Sequence, residues 1–339
     1  MTCLLFAQQT SVAIIGAGLA GLICARTLVT HGFQVTVFDK GRRPGGRMST
    51  RQTDVGLFDH GCQFLTGTDP SFLAALDAWN KANVVRIWDG RLAKLDGENT
   101  AEVSLKAVRY IGANGMQSVC WDLAHGLDVR SGVEIKSVQR TETGWFLADA
   151  DGRTQGLFDA IVVATPPIQA ANLLQAAPHL ATIARSVPMS PCWTVMAKFR
   201  QRIPLLADAA VIRNSALAWA ARSGGGSSGK DGDDSWVLQA SPEWSQQQLE
   251  ESKTMVENAL LNSFFIAAGC AEQTPSYVAA HRWRYALCSQ PLTAGSLTDA
   301  ASGIAVCGDW CLGSNAEAAY LSGLAAANAL LIRRGDSAG

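Results

Sequence analysis

The segment "SVAIIGAGLAGLICARTLVTHGFQVTVFDK", residues 11–40, constrains this chain more than any other. An apolar run over 12–15 gives way at once to helical periodicity over 19–30. His31-Gly32 supply a stop, and a second apolar run over 34–38 ends on Asp39. A period of two, then 3.6, then two again within thirty residues defines one strand-helix-strand unit. Gly16, Gly18 and Gly21 stand as GxGxxG at its first junction, with an acid 18 residues beyond Gly21. Each position has its own physics. Gly16 permits a tight turn, Gly18 lets the backbone approach a pyrophosphate, Gly21 allows close helix-strand packing, and Asp39 can accept from a ribose hydroxyl. Strand, turn, helix and terminal acid together point to a dinucleotide site.

The stretch that follows, "GRRPGGRMSTR" (41–51), packs four arginines, three glycines and a proline into eleven positions. Placed just after the ribose-binding acid, Gly45 and Gly46 can bring backbone near a pyrophosphate. Arg42 and Arg47 offer cationic donors there, and Lys40 joins them as a candidate cofactor contact. The chain ends on a second such signal. A strand over 304–307 delivers Gly308-Asp309, and a helix from about Ala316 carries small residues at 318, 319, 323, 325–327 and 329. Asp309 could accept from sugar-chain hydroxyls, and the helix N-terminus would offer free N–H groups to a ring that gains negative charge, as a reduced flavin does.

Length and composition set the frame. At 339 residues the chain suits two domains or one large discontinuous one. Apolar residues make up 48% and charged ones 17%, below the roughly 25% usual for soluble domains, so deep cores and a closed pocket are expected. A net charge of -1 without long runs of one sign argues against nucleic acid or an anionic membrane as partner. The nine cysteines are odd in number and scattered, without CxxC or Cys/His metal spacing. They read as reduced thiols of a cytoplasmic protein with no metal site. "MTCLLFAQQT" lacks the basic start of a cleaved signal, and no stretch reaches the roughly 18 apolar residues of a membrane span.

Between the two ends, 58–65 ("FDHGCQFL") reads as a short strand. Residues 69–83 read as a helix capped by Asp69 with Pro70 at its first position. Residues 133–152 read as a hairpin turning near Thr143-Gly144, and 160–164 as a buried strand stopped by Pro166-Pro167. "CWTVMAKF" is a strand, 222–234 a glycine-rich flexible loop, and 241–269 one long helix begun by Ser241-Pro242 and closed by Gly269.

GxGxxG, Asp39, "GGRM", "ATPP" and the closing "GD" turn resemble the FAD-containing amine oxidase superfamily. More narrowly, "GGRMSTR", "DHGCQF", "PCWTVM", "HRWRYA" and "GDW…EAAYLSGLA" resemble the renalase family of flavoproteins, nearly end to end. The resemblance implies an α/β fold: a Rossmann-type FAD-binding domain of the p-hydroxybenzoate hydroxylase and amine oxidase kind, with a second α+β substrate domain on an antiparallel sheet. The expected boundaries are 11–70, 105–168 and 286–334 for the first domain, and 71–104 and 169–285 for the second. The resemblance also implies noncovalent FAD, held by Gly16, Gly18, Ala20, Gly21, Asp39, Arg47, Gln63, Phe64, Val133, Gly308, Asp309 and Glu317. It implies an oxidase that takes a hydride from 2- or 6-dihydro isomers of NAD(P), gives NAD(P)+, and passes the electrons to dioxygen as hydrogen peroxide. A monomer or homodimer is expected. The alternatives are a flavin amine oxidase, a desaturase, or a non-catalytic redox sensor.

For the substrate side, strand alternation in "HRWRYA" places His281, Trp283 and Tyr285 on one face and Arg282 with Arg284 on the other. With the resemblance, Trp283 becomes a wall for a planar ring and His281 an acid/base candidate, while Arg284 is either a contact for substrate phosphate or a member of a surface ion pair. Trp193 and Thr194 are placed in the pocket, and Gln63 and Trp193 join Trp283 and His281 among the catalytic residues. Lys198, at the far end of its strand, is read as a surface residue, which departs from amine oxidases that carry a lysine near the flavin.

Overall fold

The unit read from residues 11–40 forms as strand Ser11–Ile15, helix Leu19–Thr30 and strand Gln34–Asp39. The computed structural model describes residues 9–96, 99–102, 107–226 and 232–336. The two strands run parallel, Ile14 beside Val37 and Ile15 beside Phe38. Both are buried along most of their length, which is why each reads as a near-continuous apolar run.

Two compact units divide the chain. The first comprises Met1–Gly46, Cys120–Pro188 and Gln290–Gly339. Its six-stranded sheet runs Leu297–Asp299, Ile304–Val306, Ala160–Val163, Ser11–Ile15, Gln34–Asp39, Asp128–Ser131, parallel except at the first pair. Helix Ala316–Asp336 lies on helix Leu19–Thr30 so closely that a Cβ on Gly323 would stand 2.4 Å from the Ala20 carbonyl oxygen. The small-residue stripe read from the sequence therefore serves helix-on-helix packing. The hairpin of Ile135–Arg140 and Trp145–Asp149 forms as expected, with Thr154–Phe158 as a third strand.

The second unit comprises Arg47–Val119 and Met189–Ser289. Its sheet orders Tyr277–Cys288, Met189–Phe199, Asp234–Ala240, Leu217–Arg222, Ala209–Arg213, Leu92–Asp96 and Asn99–Glu102, antiparallel save for one parallel pair between Ala209–Arg213 and Leu92–Asp96. Helix Lys253–Ala268 covers one face, packing Val256, Leu260, Phe264 and Phe265 into a core with Val195, Phe199 and Trp236. A two-stranded ribbon, Val85–Trp88 with Arg109–Gly112, belongs to the same unit.

Three expectations are corrected. Residues 47–70 and 105–119 belong to the second unit: Leu65 and Tyr110 exchange backbone hydrogen bonds, and the Trp283 indole donates to the His60 carbonyl at 2.9 Å. Residues 169–188 belong to the first unit, and 286–289 to the second. Residues 58–65 do not form a strand; beyond Gly56–Phe58 there is one isolated bridge, Leu65 to Tyr110. The helix expected over 241–269 is two, Pro242–Gln247 and Lys253–Ala268, because the Ser252 hydroxyl accepts from Met255 N and starts a new N-terminus. Of the loop read over 222–234, residues 227–231 lie outside the described residues.

Candidate functional site

In the first unit the glycine turn is built by exclusion. Gly16 sits at φ +119°, and a Cβ there would meet the Ala164 carbonyl oxygen at 2.4 Å; one on Gly21 would meet Gly16 O at 2.0 Å. Around Gly18 nothing lies within 4 Å of a Cβ position. Close backbone on one side and open space on the other is what a pyrophosphate needs. Asp39 holds the turn in shape: its carboxylate accepts from Ala17 N at 2.7 Å and Gly41 N at 2.6 Å. Burial pushes this carboxyl above the usual range, while those two N–H groups and the Lys40 charge pull the other way.

The arginine-glycine stretch folds back onto the same turn. Gly45 N donates to Ala17 O at 3.0 Å, and a Cβ on Gly46 would stand 3.4 Å from Gly18 Cα. Val133 N donates to the Asp39 carbonyl at 3.0 Å, which places Val133 beside the acid. Lys40 and Arg42 are exposed. Arg47, the first residue of the second unit, is half-buried and donates to the Ala286 carbonyl at 2.9 Å.

At the closing turn, Gly308 N donates to the Ser322 hydroxyl at 3.0 Å, and a Cβ on Gly308 would strike the Trp310 indole. Asp309 is buried, and Glu317 lies in the first turn of the final helix. The N–H groups there are not all free, because Asn315 Oδ1 accepts from Ala318 N at 2.8 Å. Thr165, one residue past the Ala164 that abuts Gly16, keeps a buried hydroxyl without a hydrogen-bond partner. Sequence reading missed it, although it stands in the "ATPP" motif. Open space at Gly18, an orphaned hydroxyl and an acid at the strand end fit a dinucleotide such as FAD.

The second unit holds a cavity of about 160 Å³. Phe64, Trp88, Trp219 and Ile111 give it apolar walls, with Gln63 and Asp59 among its polar groups. Trp219 Nε1 donates to Gln63 Oε1 at 2.9 Å, leaving Gln63 Nε2 buried and unpartnered. An indole N–H can only donate, so this bond fixes the amide with its NH₂ turned away from Trp219. Asp59 Oδ1 accepts from the Thr50 hydroxyl and from Met116 N, and burial raises its carboxyl.

Gln63, expected both among the catalytic residues and at the cofactor, and Phe64, expected at the cofactor, line this cavity; Trp193, Thr194, His281, Trp283 and Arg284 do not. Trp193 and Thr194 cannot share a pocket, because neighbours on a strand point to opposite faces. Trp193 is buried in the core under helix Lys253–Ala268, donating to Gln248 O at 2.9 Å with Arg282 stacked on its ring. Thr194 is fully buried on the opposite face, beside His281. Arg284 forms a two-pronged surface ion pair with Glu250, at 2.6 and 3.0 Å. Lys198 is half-buried rather than on the surface, ion-paired with Asp233 at 2.9 Å.

Trp283 and His281 form a ring cluster with His60, whose centroids lie 4.4 to 5.1 Å apart. Burial, then the His281 and Arg51 charges, lowers His60 to about 3; burial, then Arg51 and Lys253, lowers His281 to about 4. Both imidazoles are therefore neutral near pH 7. Their folded values lie below the unfolded value near 6.5, so the unfolded chain binds protons that the folded one refuses. Stability is full above about pH 7 and is lost as pH falls through 6.5 toward 4. Urea unfolding across pH 4.5–7.5 should show uptake of up to about two protons from this cluster, and His281→Phe should remove about one.

The chain belongs to the flavin-containing amine oxidoreductase family, whose model matches residues 91–331. A model of an NAD(P)-binding Rossmann-like domain matches residues 14–79. Among curated proteins, FLOWERING LOCUS D of Arabidopsis thaliana is 30% identical over 178 residues, 46% of this chain and 22% of that protein. Putrescine oxidase of Kocuria rosea is 32% identical over 94 residues, 28% of this chain and 20% of that protein. The chain thus spans about a fifth of the length of these relatives. Cyclohexylamine oxidase of Brevibacterium oxydans IH-35A shares the fold, with a TM-score of 0.75 at 14% identity over 97% of this chain and all of the other. Among the described residues no helix is long and apolar enough to cross a membrane, and no group of three acidic, histidine or cysteine side chains is placed to hold a metal.

Proposed function

We propose that this protein is an FAD-dependent oxidase of the renalase type, acting on the 2- and 6-dihydro isomers of NAD(P). The observation that supports it is the cavity itself. Its volume of about 160 Å³ suits one six-membered ring, and the buried, unpartnered Gln63 amide offers a donor to a carbonyl on that ring. A dihydronicotinamide has both features. Phe64, Trp88 and Trp219 would stack on the ring and exclude water, and Trp219 holds the Gln63 amide in the orientation that reads a carboxamide oxygen.

Bound noncovalently, FAD supplies the hydride acceptor and returns the electrons to dioxygen. Gly16, Gly18, Gly21, Asp39, Thr165 and the Gly308-Asp309 turn would hold it. Dihydronicotinamide, dioxygen and one proton yield NAD(P)+ and hydrogen peroxide, which balances atoms and electrons. Loss of hydride makes the ring an aromatic cation directly, so no base is needed. Among the described residues no histidine lines the cavity, and its carboxylates are engaged, Asp59 by the Thr50 hydroxyl and Met116 N and Asp208 by Arg222, which accords with that. Positioning is then the main catalytic contribution.

A flavin amine oxidase is the second reading, favoured by Asp59, a carboxyl that lines the cavity and could hold an ammonium. The two separate on pH. Flavin reduction by a dihydronicotinamide should be constant within about twofold from pH 6 to 9, whereas reduction by an amine should rise with pH as the neutral amine appears. Asp59→Asn should leave dihydronicotinamide KM within about threefold and raise an amine KM at least tenfold. A steep pH profile for the dihydronicotinamide would remove the first reading.

A further inference from the structure

Arg86 and Trp88 share one face of the two-stranded ribbon with Arg109 and Ile111, because Arg86 is paired with Ile111 and Trp88 with Arg109. Arg86, Trp88 and Ile111 line the cavity. Arg109 continues that face, its guanidinium 5.2 Å above the ring of Phe64, which lines the cavity as well. The two arginines are diagonal neighbours on the ribbon, roughly 7–8 Å apart by strand geometry.

Among the described residues neither has a carboxylate partner. Arg86 makes one hydrogen bond, to the Gly224 carbonyl at 2.8 Å. Arg109 Nε and Nη1 are shielded from solvent and bonded to nothing. The nearby carboxylates are engaged: Asp208 pairs with Arg222 and Arg91, and Asp59 with Thr50 and Met116. Two guanidinia side by side, one of them partly stripped of water, are unfavourable unless an anion joins them.

We propose that Arg86 and Arg109 form an anion subsite for the phosphate of the substrate nucleotide, while the aromatic walls hold its ring. The proposal rests on the dihydronicotinamide reading above. The cavity supports the division of labour: about 160 Å³ takes a ring, well short of the ~300 Å³ or more that encloses a larger ligand, so the phosphate must bind outside it.

The test compares the holoenzyme with Arg109→Gln and Arg86→Gln, using 6-dihydronicotinamide mononucleotide and the phosphate-free riboside in anaerobic flavin reduction. The wild type should prefer the mononucleotide by about tenfold or more in kcat/KM, and each substitution should cut that preference at least fivefold, through KM rather than through the limiting rate. An unchanged preference in both variants overturns the subsite. If neither compound reduces the flavin, the substrate reading fails, and inorganic pyrophosphate then tests the subsite alone. Stabilisation of the wild-type holoenzyme that both variants lose sustains it, and no stabilisation of the wild type overturns it.

Discussion

Gly18→Ala should give a folded protein that holds its flavin weakly, while Gly21→Ala should destabilise the fold of its first unit. The two glycines sit three residues apart in one motif and differ in what surrounds them. A methyl on Gly21 would lie 2.0 Å from Gly16 O. That oxygen cannot retreat, because Gly16 is itself wedged at φ +119° against Ala164. Relief requires moving a strand, at a cost of roughly 3 kcal/mol or more, which lowers the melting temperature by about 10 °C for a unit of this size. Gly18 has φ -79° and ψ 179°, which alanine adopts freely, and open space around it. Its methyl would stand where the pyrophosphate approaches. Flavin-free Gly18→Ala should melt within about 2 °C of wild type, with FAD affinity reduced by a factor of about 10 to 100. The ratio of flavin to protein absorbance after purification, set beside apoprotein melting, separates the two. Equal behaviour would mean that Gly18 is packed rather than facing a ligand.

Arg222→Ala should be the most damaging single change in the second unit. Arg222 is buried, pairs with Asp234 at 3.0 Å and Asp208 at 3.2 Å, and donates to the carbonyls of Ala207, Ile203 and Leu205. Its plane lies 4.6 Å above the Trp236 ring. Truncation leaves a buried carboxylate and three carbonyls without their donor, a loss of roughly 3–5 kcal/mol. Adding Asp234→Asn should return part of that, because the remaining buried charge disappears. Urea unfolding followed by tryptophan fluorescence reads both, and a loss under about 1 kcal/mol for the single variant would contradict the assignment. Since Arg222 and Asp208 also border the cavity, the network that stabilises the unit also shapes the cavity wall.

What the sequence made legible was local. The helix Leu19–Thr30, the cap at Asp69, which accepts from Ser71 N and Phe72 N, and the left-handed Gly269 at a helix end all follow from residues within one turn of each other. The glycine turn was readable for the same reason, as its glycines and Asp39 span a single strand-helix-strand unit. The cavity of the second unit was not. Gln63 and Trp219 meet across 156 positions, and Arg86 meets Arg109 only because a ribbon closes around an intervening hairpin. Nothing in "VRIWDG" or "VRYIGANG" alone announces that pairing. Arg284 pairs with Glu250, 34 residues away, a contact that strand alternation alone does not show. Placing Trp193 and Thr194 together had a nearer remedy, since strand alternation already forbids it.

The most direct measurement is anaerobic mixing of the yellow holoenzyme with 2- and 6-dihydro-NAD(P), with ordinary 1,4-NADH and a panel of amines alongside. Rapid bleaching of the oxidised-flavin band by the 2- or 6-dihydro isomers alone, with hydrogen peroxide formed one for one when air is admitted, is the predicted result. Bleaching by an amine, with none by any dihydronicotinamide, would contradict it and leave Asp59 as the residue that selects the substrate.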